Sequence, residues 1–305
     1  MDSISVVLAA DDTFAMPLAV AALSVILSFG ARSNLVLYVL DMGIRVRNRK
    51  RVERTLRRPG VELRWVDSFA SKAAALSNTW PNVTRATYAR LFIPDVLPSS
   101  TKRALYIDCD VIARRSIADF FEADMCGALA MGVPDVRTPF VSSPGALPWW
   151  FRNGRAIDDL NFNTGVLLMD LDGWRKEKVG RQALDYLTGG RDAGRPQEAL
   201  NAVIGPRIRA LDPRWNVQSE LADRGYESAL PYTDEQLATL HQDPWLVHFS
   251  NARKPWHHGC TNPWCQEWYG YARQTAFHRW KPSRRKDFVS RARRLVRRGV
   301  DELSA

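Results

Sequence analysis

Two carboxylates one residue apart, Asp108 and Asp110, close the run Arg103-Ala-Leu-Tyr-Ile-Asp-Cys-Asp-Val111. Leu105, Tyr106 and Ile107 have the character of a buried strand. Such a strand seldom ends in two acids unless a cation sits there. Side chains at i and i+2 of an extended segment point the same way, so both carboxylates can face one hard divalent ion. Open α/β sheets bind ligands beyond the carboxyl ends of their strands, which is where this pair falls. The same spacing also suits a strand followed by an Asx-turn with both acids solvated, and a lone D-x-D does not separate the two.

The elements that would position this pair alternate in type. Ile4–Ala10 reads as a first strand, followed by Asp11-Asp12-Thr13 and an apolar helix, Leu18 to Phe29. Leu35–Leu40 and Val61–Val66 read as strands flanking a basic helix over Asn48–Arg58. Tyr88–Leu97 has helical character interrupted at Pro94, and Ala104–Ile107 is the strand carrying the acids. Beyond it, Ala128–Val133 and Phe162–Leu171 are strand-like, and Pro144–Asp159, rich in Pro, Gly and aromatics, reads as a mobile loop. Asp172–Thr188 has helical periodicity with Asp172 as N-cap; Gln197–Ile204 is a short helix, Leu246–Phe249 a strand and Pro263–Phe277 a helix. Strands alternating with helices predict an α/β fold on a mostly parallel sheet of right-handed βαβ units.

With 305 residues, 46% hydrophobic and 25% charged, the chain has ample core for one α/β domain with an appendage. No run approaches the roughly 18 consecutive apolar residues that span a bilayer. Ile4 to Ala10 is too short for a secretory signal, which predicts a cytoplasmic protein. The four cysteines form no C-x-x-C pair, which suits a reducing compartment. His257, His258, Cys260 and Cys265 match no common zinc spacing and read as a loop and helix start. Nearly all of the +10 net charge lies between His278 and Val300, where ten Lys/Arg face one acid, Asp287. That divides the chain into a domain over 1–277 and a basic tail over 278–305.

Five stretches fall in a recognisable order: Ala9-Ala10-Asp11-Asp12, Ala86-Thr-Tyr-Ala-Arg-Leu91, Tyr106-Ile-Asp-Cys-Asp-Val111, Phe162-Asn-Thr-Gly-Val166, and His248-Phe-Ser-Asn-Ala-Arg-Lys-Pro-Trp256. Together they resemble glycosyltransferase family 8, in particular the bacterial lipopolysaccharide α-galactosyltransferases and α-glucosyltransferases, over roughly Ser3 to Trp268. The resemblance implies a GT-A type nucleotide-sugar-binding fold, a UDP-hexose donor, Mn²⁺ (with Mg²⁺ as the alternative), and transfer to a saccharide or glycolipid acceptor with retained anomeric configuration. Carried over by position, Asp108, Asp110 and His248 would hold the metal, a set that Mn²⁺ accepts because it tolerates an imidazole better than Mg²⁺ does. Arg90 and Lys254 would pair with the diphosphate, while Ala9, Asp11 and Thr13 match positions that hold uracil and its ribose. Asn251 belongs to the same nucleotide-binding set. Asn163 and Asp135 match positions near the transferred sugar and the acceptor, and Gln197 matches the glutamine beneath the anomeric carbon. A same-face displacement with Gln197 stabilising the oxocarbenium-like charge is favoured over a covalent route, for which Glu198 is the nearby carboxylate.

Three positions depart from the family pattern. Pro196 stands where an acid usually grips the donor sugar's hydroxyls, so Glu198 or Asp192 must replace it, the donor must differ, or catalysis is impaired. Asn251 replaces a common glycine, a mild change because asparagine tolerates left-handed backbone. Thr13 replaces a common Asn or Ser and keeps a hydroxyl. In the tail, Phe288, Ala292, Leu295, Val296 and Gly299 recur at helical spacing among arginines, with Phe277 and Trp280 just upstream. A cationic amphipathic helix of that kind suits the anionic inner face of a membrane, so the protein is expected to sit peripherally there. Three rivals remain: a catalytically impaired member that binds nucleotide sugar or glycan, a nucleotidyltransferase, and a nucleic-acid binder. The second lacks a Gly-rich phosphate loop after the first strand, and the third lacks a stacking basic groove, so no nucleic-acid partner is expected.

Overall fold

The computed structural model describes residues 3–30, 34–67, 85–147, 150–189, 195–222 and 230–283. The strands are β1 (Ile4–Ala10), β2 (Leu35–Asp41), β3 (Val61–Val66), β4 (Arg103–Ile107), β5 (Val111–Ala113), β6 (Ala130–Pro134), β7 (Phe162–Asp170), β8 (Ile208–Ala210), β9 (Val217–Gln218) and β10 (Leu246–His248). Seven form the main sheet in the order β3-β2-β1-β4-β7-β6-β8, and β5-β10-β9 form a small second sheet. β1 and β2 are buried along their whole length, as near-continuous apolar runs should be when helices cover both faces. Val6, Leu8 and Ala10 of β1 face one apolar layer, shared with the Ala15–Phe29 and Cys265–Arg273 helices. Val7 and Ala9 face the other, shared with Val179–Thr188 and Pro196–Ile204. β3 alternates between partly buried and exposed, as befits an edge strand.

One strand runs against the rest. β7 is antiparallel to both neighbours, β4 and β6, while the other pairings in the main sheet are parallel. Its register sets Ile107 opposite Val166, and the Asp108 N–H donates to the Gly165 carbonyl at 2.7 Å. The start of β7 therefore lies beside the end of β4, on one edge of the sheet. β10 pairs antiparallel with β5, setting His248 opposite Val111, and the Phe249 N–H donates to the Asp110 carbonyl at 2.8 Å. Three chain segments are thus brought to one place by ladder hydrogen bonds alone.

Several expected elements shift. The first helix begins at Ala15, because Pro17 fits in a first turn that needs no N–H donor. With the preceding turn it forms a stretch, Asp12–Phe29, apolar and long enough to cross a membrane by composition, against the expectation of none. It is 72% buried inside the protein, which is how a core helix behaves. The expected Asp172–Thr188 helix is two, Leu171–Glu177 and Val179–Thr188, broken at Lys178 in a left-handed conformation. The cap position is Asp170, and Asp172 instead meets Lys102 at 2.8 Å. Gly180 follows the break, where a Cβ would lie 2.2 Å from the Leu91 carbonyl oxygen, so the close approach requires glycine. The Tyr88–Leu97 helix is a series of single turns with Ala89–Phe92 wound as a 3₁₀ segment. The last helix shortens to Cys265–Arg273, and the basic helix runs over Val46–Leu56. The described part of the Pro144–Asp159 loop is fastened by buried Arg155, which reaches Asp159 at 2.6 Å and the Asn201 carbonyl at 3.1 Å. Phe277, expected as a membrane-facing anchor, is buried at 8% exposure with Arg51 stacked on its ring. The amphipathic pattern beyond Arg284 lies outside the described residues, as does Asp192.

The small sheet is tied to the first helix through one hydroxyl. Ser24 is fully buried, donates to the Ala21 carbonyl at 2.7 Å and accepts the Ala113 N–H of β5 at 2.9 Å. Replacing Ser24 by Ala strands that N–H, so the variant should lose about 1–3 kcal/mol of stability. Denaturant unfolding against the parent protein checks it; an unchanged midpoint would disprove the account.

Candidate functional site

Beyond the carboxyl end of β4 the ligand atoms of Asp108, Asp110 and His248 lie within 4.8 Å of one another, the one such His/Cys/Asp/Glu set among the described residues. His248 Nε2 is 3.3 Å from Asp110 Oδ1 and 4.0 Å from Asp108 Oδ2. Two carboxylate oxygens and an imidazole nitrogen are a donor set that fits a divalent ion of Mn²⁺ type. Gly165 supplies the second observation: a Cβ there would come within 2.5 Å of His248 Cε1 and 2.6 Å of Asp108 Oδ2. The cradle exists because that strand position carries no side chain.

Each acid is held by cations and donors. Arg90, 5% exposed at its side chain, donates from Nη2 to Asp108 Oδ1 at 2.9 Å. Its Nη1 bonds the Thr164 carbonyl and hydroxyl, and its Nε the Thr87 carbonyl. The Tyr106 hydroxyl adds a bond to Asp108 Oδ1 at 2.5 Å, and burial pushes that phenol's pKa well up so that it stays a donor. A diphosphate contact by Arg90 would be additional to these bonds, which orient Asp108 and join it to the start of β7. Lys254 Nζ lies 2.7 Å from Asp110 Oδ2 and also bonds the Phe249 carbonyl. Burial raises the Asp110 carboxyl, but Lys254 and His248 outweigh it and hold the pKa far below the usual range. For His248 burial works against the imidazolium, yet the charge of Asp110 wins and the pKa rises.

A second polar cluster adjoins the first. Gln197, in the first turn of Pro196–Ile204, accepts the Thr164 N–H at 3.1 Å and donates to Asp135 Oδ2 at 3.0 Å. Asn163 donates to the same Asp135 oxygen at 3.0 Å and accepts the Gly165 N–H at 3.0 Å. Asp135 Oδ1 closes the turn after β6 by accepting from the Arg137 and Thr138 N–H groups. Thus Asp135, Asn163 and Gln197, expected together near the sugar, do meet. Glu198 does not join them, since its carboxylate caps its own helix at the Arg195 N–H (2.9 Å) and Nε (2.8 Å).

The expected nucleotide residues flank the metal set on the β1 side. Ala9 is buried, and its carbonyl accepts from the Cys109 thiol at 3.2 Å. Asp11 caps the turn after β1, accepting from the Thr13 and Phe14 N–H groups, and Thr13 is exposed. The tolerance of Asn251 for left-handed backbone is not called upon: among described non-glycine residues only Cys126 and Lys178 have positive φ. Its side chain instead accepts the Arg253 N–H at 2.8 Å, closing the turn that leads to Lys254. Cys260 and Cys265 lie with sulfurs 2.8 Å apart, and among the described residues no histidine completes a metal set with them.

Three contributors were missed from sequence. Asn216, 1% exposed, meets His248 Nδ1 at 3.0 Å and Asn163 Oδ1 at 3.0 Å. Glu220, 3% exposed, pairs with Arg137 at 2.7 Å and accepts from Ser250, fixing the segment after His248. Asn216 in Pro213–Asn216 and Glu220 in Ser219–Ala222 read as ordinary turn polars, so nothing local marks them. Gly165 did carry a signal, because glycine within an apolar strand marks close approach.

A mostly parallel sheet with a carboxylate pair at a central strand's end, bordered by a second polar cluster, is the GT-A arrangement of glycosyltransferases. The chain matches the model for glycosyl transferase family 8 across residues 5–260, and it belongs to that family. It is similar to general stress protein A of Bacillus subtilis (strain 168), 27% identical over 286 residues, 90% of this chain and 94% of that one. It is also similar to a lipopolysaccharide 1,3-galactosyltransferase of Salmonella typhimurium, 24% identical over 63% of this chain. This chain spans only 54% of that enzyme. Among solved structures, the galactosyltransferase LgtC in complex with donor and acceptor sugar analogues superimposes with a TM-score of 0.74. That match is 25% identical and covers 89% of this chain and 96% of LgtC.

Gly165→Ala tests the cradle without removing a ligand. The added methyl must push His248 and Asp108 apart, so Mn²⁺ affinity by calorimetry should fall about tenfold or more while far-UV circular dichroism is unchanged. Parent-like affinity would show that the cradle does not need glycine.

Proposed function

We propose that this family 8 glycosyltransferase moves a hexose from a UDP-sugar to a saccharide acceptor with retained anomeric configuration, using Mn²⁺ held by Asp108, Asp110 and His248. The observation that carries the reading is the hydrogen-bonded adjacency of that ligand set to the Asp135–Asn163–Gln197 cluster. When bound, the ion would act as a Lewis acid on the departing diphosphate. Lys254, beside Asp110, adds a cation at the same side. In this reading Asp11, which follows β1, would accept from a uracil imide N–H, and Thr13 would offer a hydroxyl to the ribose. Gln197 presents a carboxamide whose oxygen already faces a donor, giving a fixed dipole where positive charge grows on the sugar.

Retention without a covalent intermediate is supported by what the carboxylates are doing. Glu198 is committed to its helix cap. Asp135 accepts from two backbone N–H groups, a hydroxyl and two carboxamides, leaving little free lone-pair density for attack. A same-face displacement, in which the leaving phosphate oxygen takes the acceptor's proton, needs no protein nucleophile. Pro196 at the helix start has no side-chain acceptor for a sugar hydroxyl, and it is the observation that favours the rival reading of a binder without transfer.

A screen of UDP-sugars for UDP release decides between them. Transfer should appear with Mn²⁺, vanish with EDTA, and fall about 100-fold or more in Asp110→Asn, since several kcal/mol of charge stabilisation goes with the ion. UDP-sugar binding with no release from any donor would establish the binder instead. Product anomeric configuration by NMR tests retention.

A lipid-linked acceptor at the cytoplasmic membrane face is the setting that the charge distribution favours. Arg51, Arg54, His278, Arg279 and Trp280 line one cavity where the described chain ends, Arg47 and Lys50 lie exposed on the same basic helix, and exposed Arg57 follows its end. Their charge continues that of the tail, and such a surface is drawn to anionic headgroups. A chain ending after Lys281 should sediment less with anionic phosphatidylglycerol vesicles while keeping activity on a soluble acceptor. Undiminished sedimentation would refute the tail's role.

A further inference from the structure

The two polar clusters are joined by a chain of hydrogen bonds whose direction is fixed from one end. Asp135 Oδ2 can only accept, so the Asn163 atom 3.0 Å away is its NH₂. The other end of Asn163 faces the Gly165 N–H at 3.0 Å, which can only donate, so that end is the carbonyl oxygen. Both neighbours demand the same orientation. Asn163 Oδ1 must then receive the Asn216 NH₂ at 3.0 Å, which turns the Asn216 oxygen toward His248 Nδ1, also at 3.0 Å. An acceptor at Nδ1 requires that ring nitrogen to carry hydrogen. Nε2, 3.3 Å from Asp110 Oδ1, is then the ring nitrogen that faces the acids and is left for a cation.

We propose that Asn216 is a positioning residue for His248, and that Asp135, through Asn163 and Asn216, dictates which imidazole nitrogen is available to a divalent cation. The inference rests on the metal reading above and adds a coupling to it. Asn163 and Asn216 are at least 94% buried, so water does not compete along this path. Asp135 also holds Gln197. A sugar hydroxyl that bonds Asp135 Oδ2 must compete with Asn163 and Gln197 for the oxygen that polarises the chain. Affinity for the cation and affinity for the sugar are then linked, and linkage acts equally in both directions.

The first measurement uses metal-free protein labelled with ¹⁵N in its five histidines. His248 should show a hydrogen-bonded Nδ1–H resonance. It should persist in Asn216→Asp, whose oxygen still accepts, and disappear in Asn216→Leu. Mn²⁺ affinity, read from the electron paramagnetic resonance of the free ion, should fall 10- to 100-fold in Asn216→Leu, the usual effect of losing a partner of a metal-binding histidine. It should also fall at least threefold in Asp135→Asn, although Asp135 lends no atom to the ligand set. A parent-like Nδ1–H signal in Asn216→Leu, or unchanged Mn²⁺ affinity in Asp135→Asn, overturns the proposal. Should Asn216→Leu not fold, loss of the Nδ1–H resonance in Asn216→Asp overturns it as well. Absence of Mn²⁺ binding by the parent protein would sink the metal reading, while the metal-free resonance still decides the relay.

Discussion

Asp108 and Asp110 repel each other, and their place at the half-buried end of a strand denies them the water that would screen that repulsion. Everything around them answers it. Arg90 and the Tyr106 hydroxyl hold one acid, and Lys254 and His248 hold the other. Two buried cations against two carboxylates leave a region close to neutral, and breaking either pair would leave an uncompensated charge inside the protein. The same groups impose long-range order: Arg90 bonds β7's first residues, and Lys254 draws the segment after β10 onto β4. The electrostatic demand of one dipeptide spacing therefore fixes the relative position of four chain segments.

The reversed strand makes that arrangement compact. In a wholly parallel sheet every strand delivers its last residues to the ligand edge, whereas β7 delivers its first ones. Asn163, Thr164 and Gly165 thus reach the acids from the side, each with a separate task. Asn163 carries the polar chain, Thr164 links Arg90 to Gln197, and Gly165 leaves the space in which His248 and Asp108 converge.

Much of this was legible in the residues. β1 and β2 are buried on both faces, so their apolar runs announce them, and the acid pair marks its own strand end. The five family stretches contain Asp108, Asp110 and His248, which come together, and Asp135, Asn163 and Gln197 converge beside them. What stayed hidden depended on partners far away in sequence or on backbone choices with no side-chain signature. β5 and β9 have three and two residues, too few for a period. The antiparallel sense of β7 leaves no trace in hydrophobicity, because burial on two faces looks the same in either direction. Lys178 breaks a helix in a conformation that lysine does not advertise. Asn216 acts only through residues 53 and 32 positions away.

Such distances along the chain also order events in time. Asp110 waits for Lys254, 144 residues later, and Ala276 closes on Thr55 across 221. Ribosomes add about 5–20 residues each second. The strands that would cradle a nucleotide thus emerge several seconds before the histidine and lysine that complete the centre. An unfinished polypeptide therefore carries Asp110 without the side chains that neutralise it until most of the body has emerged.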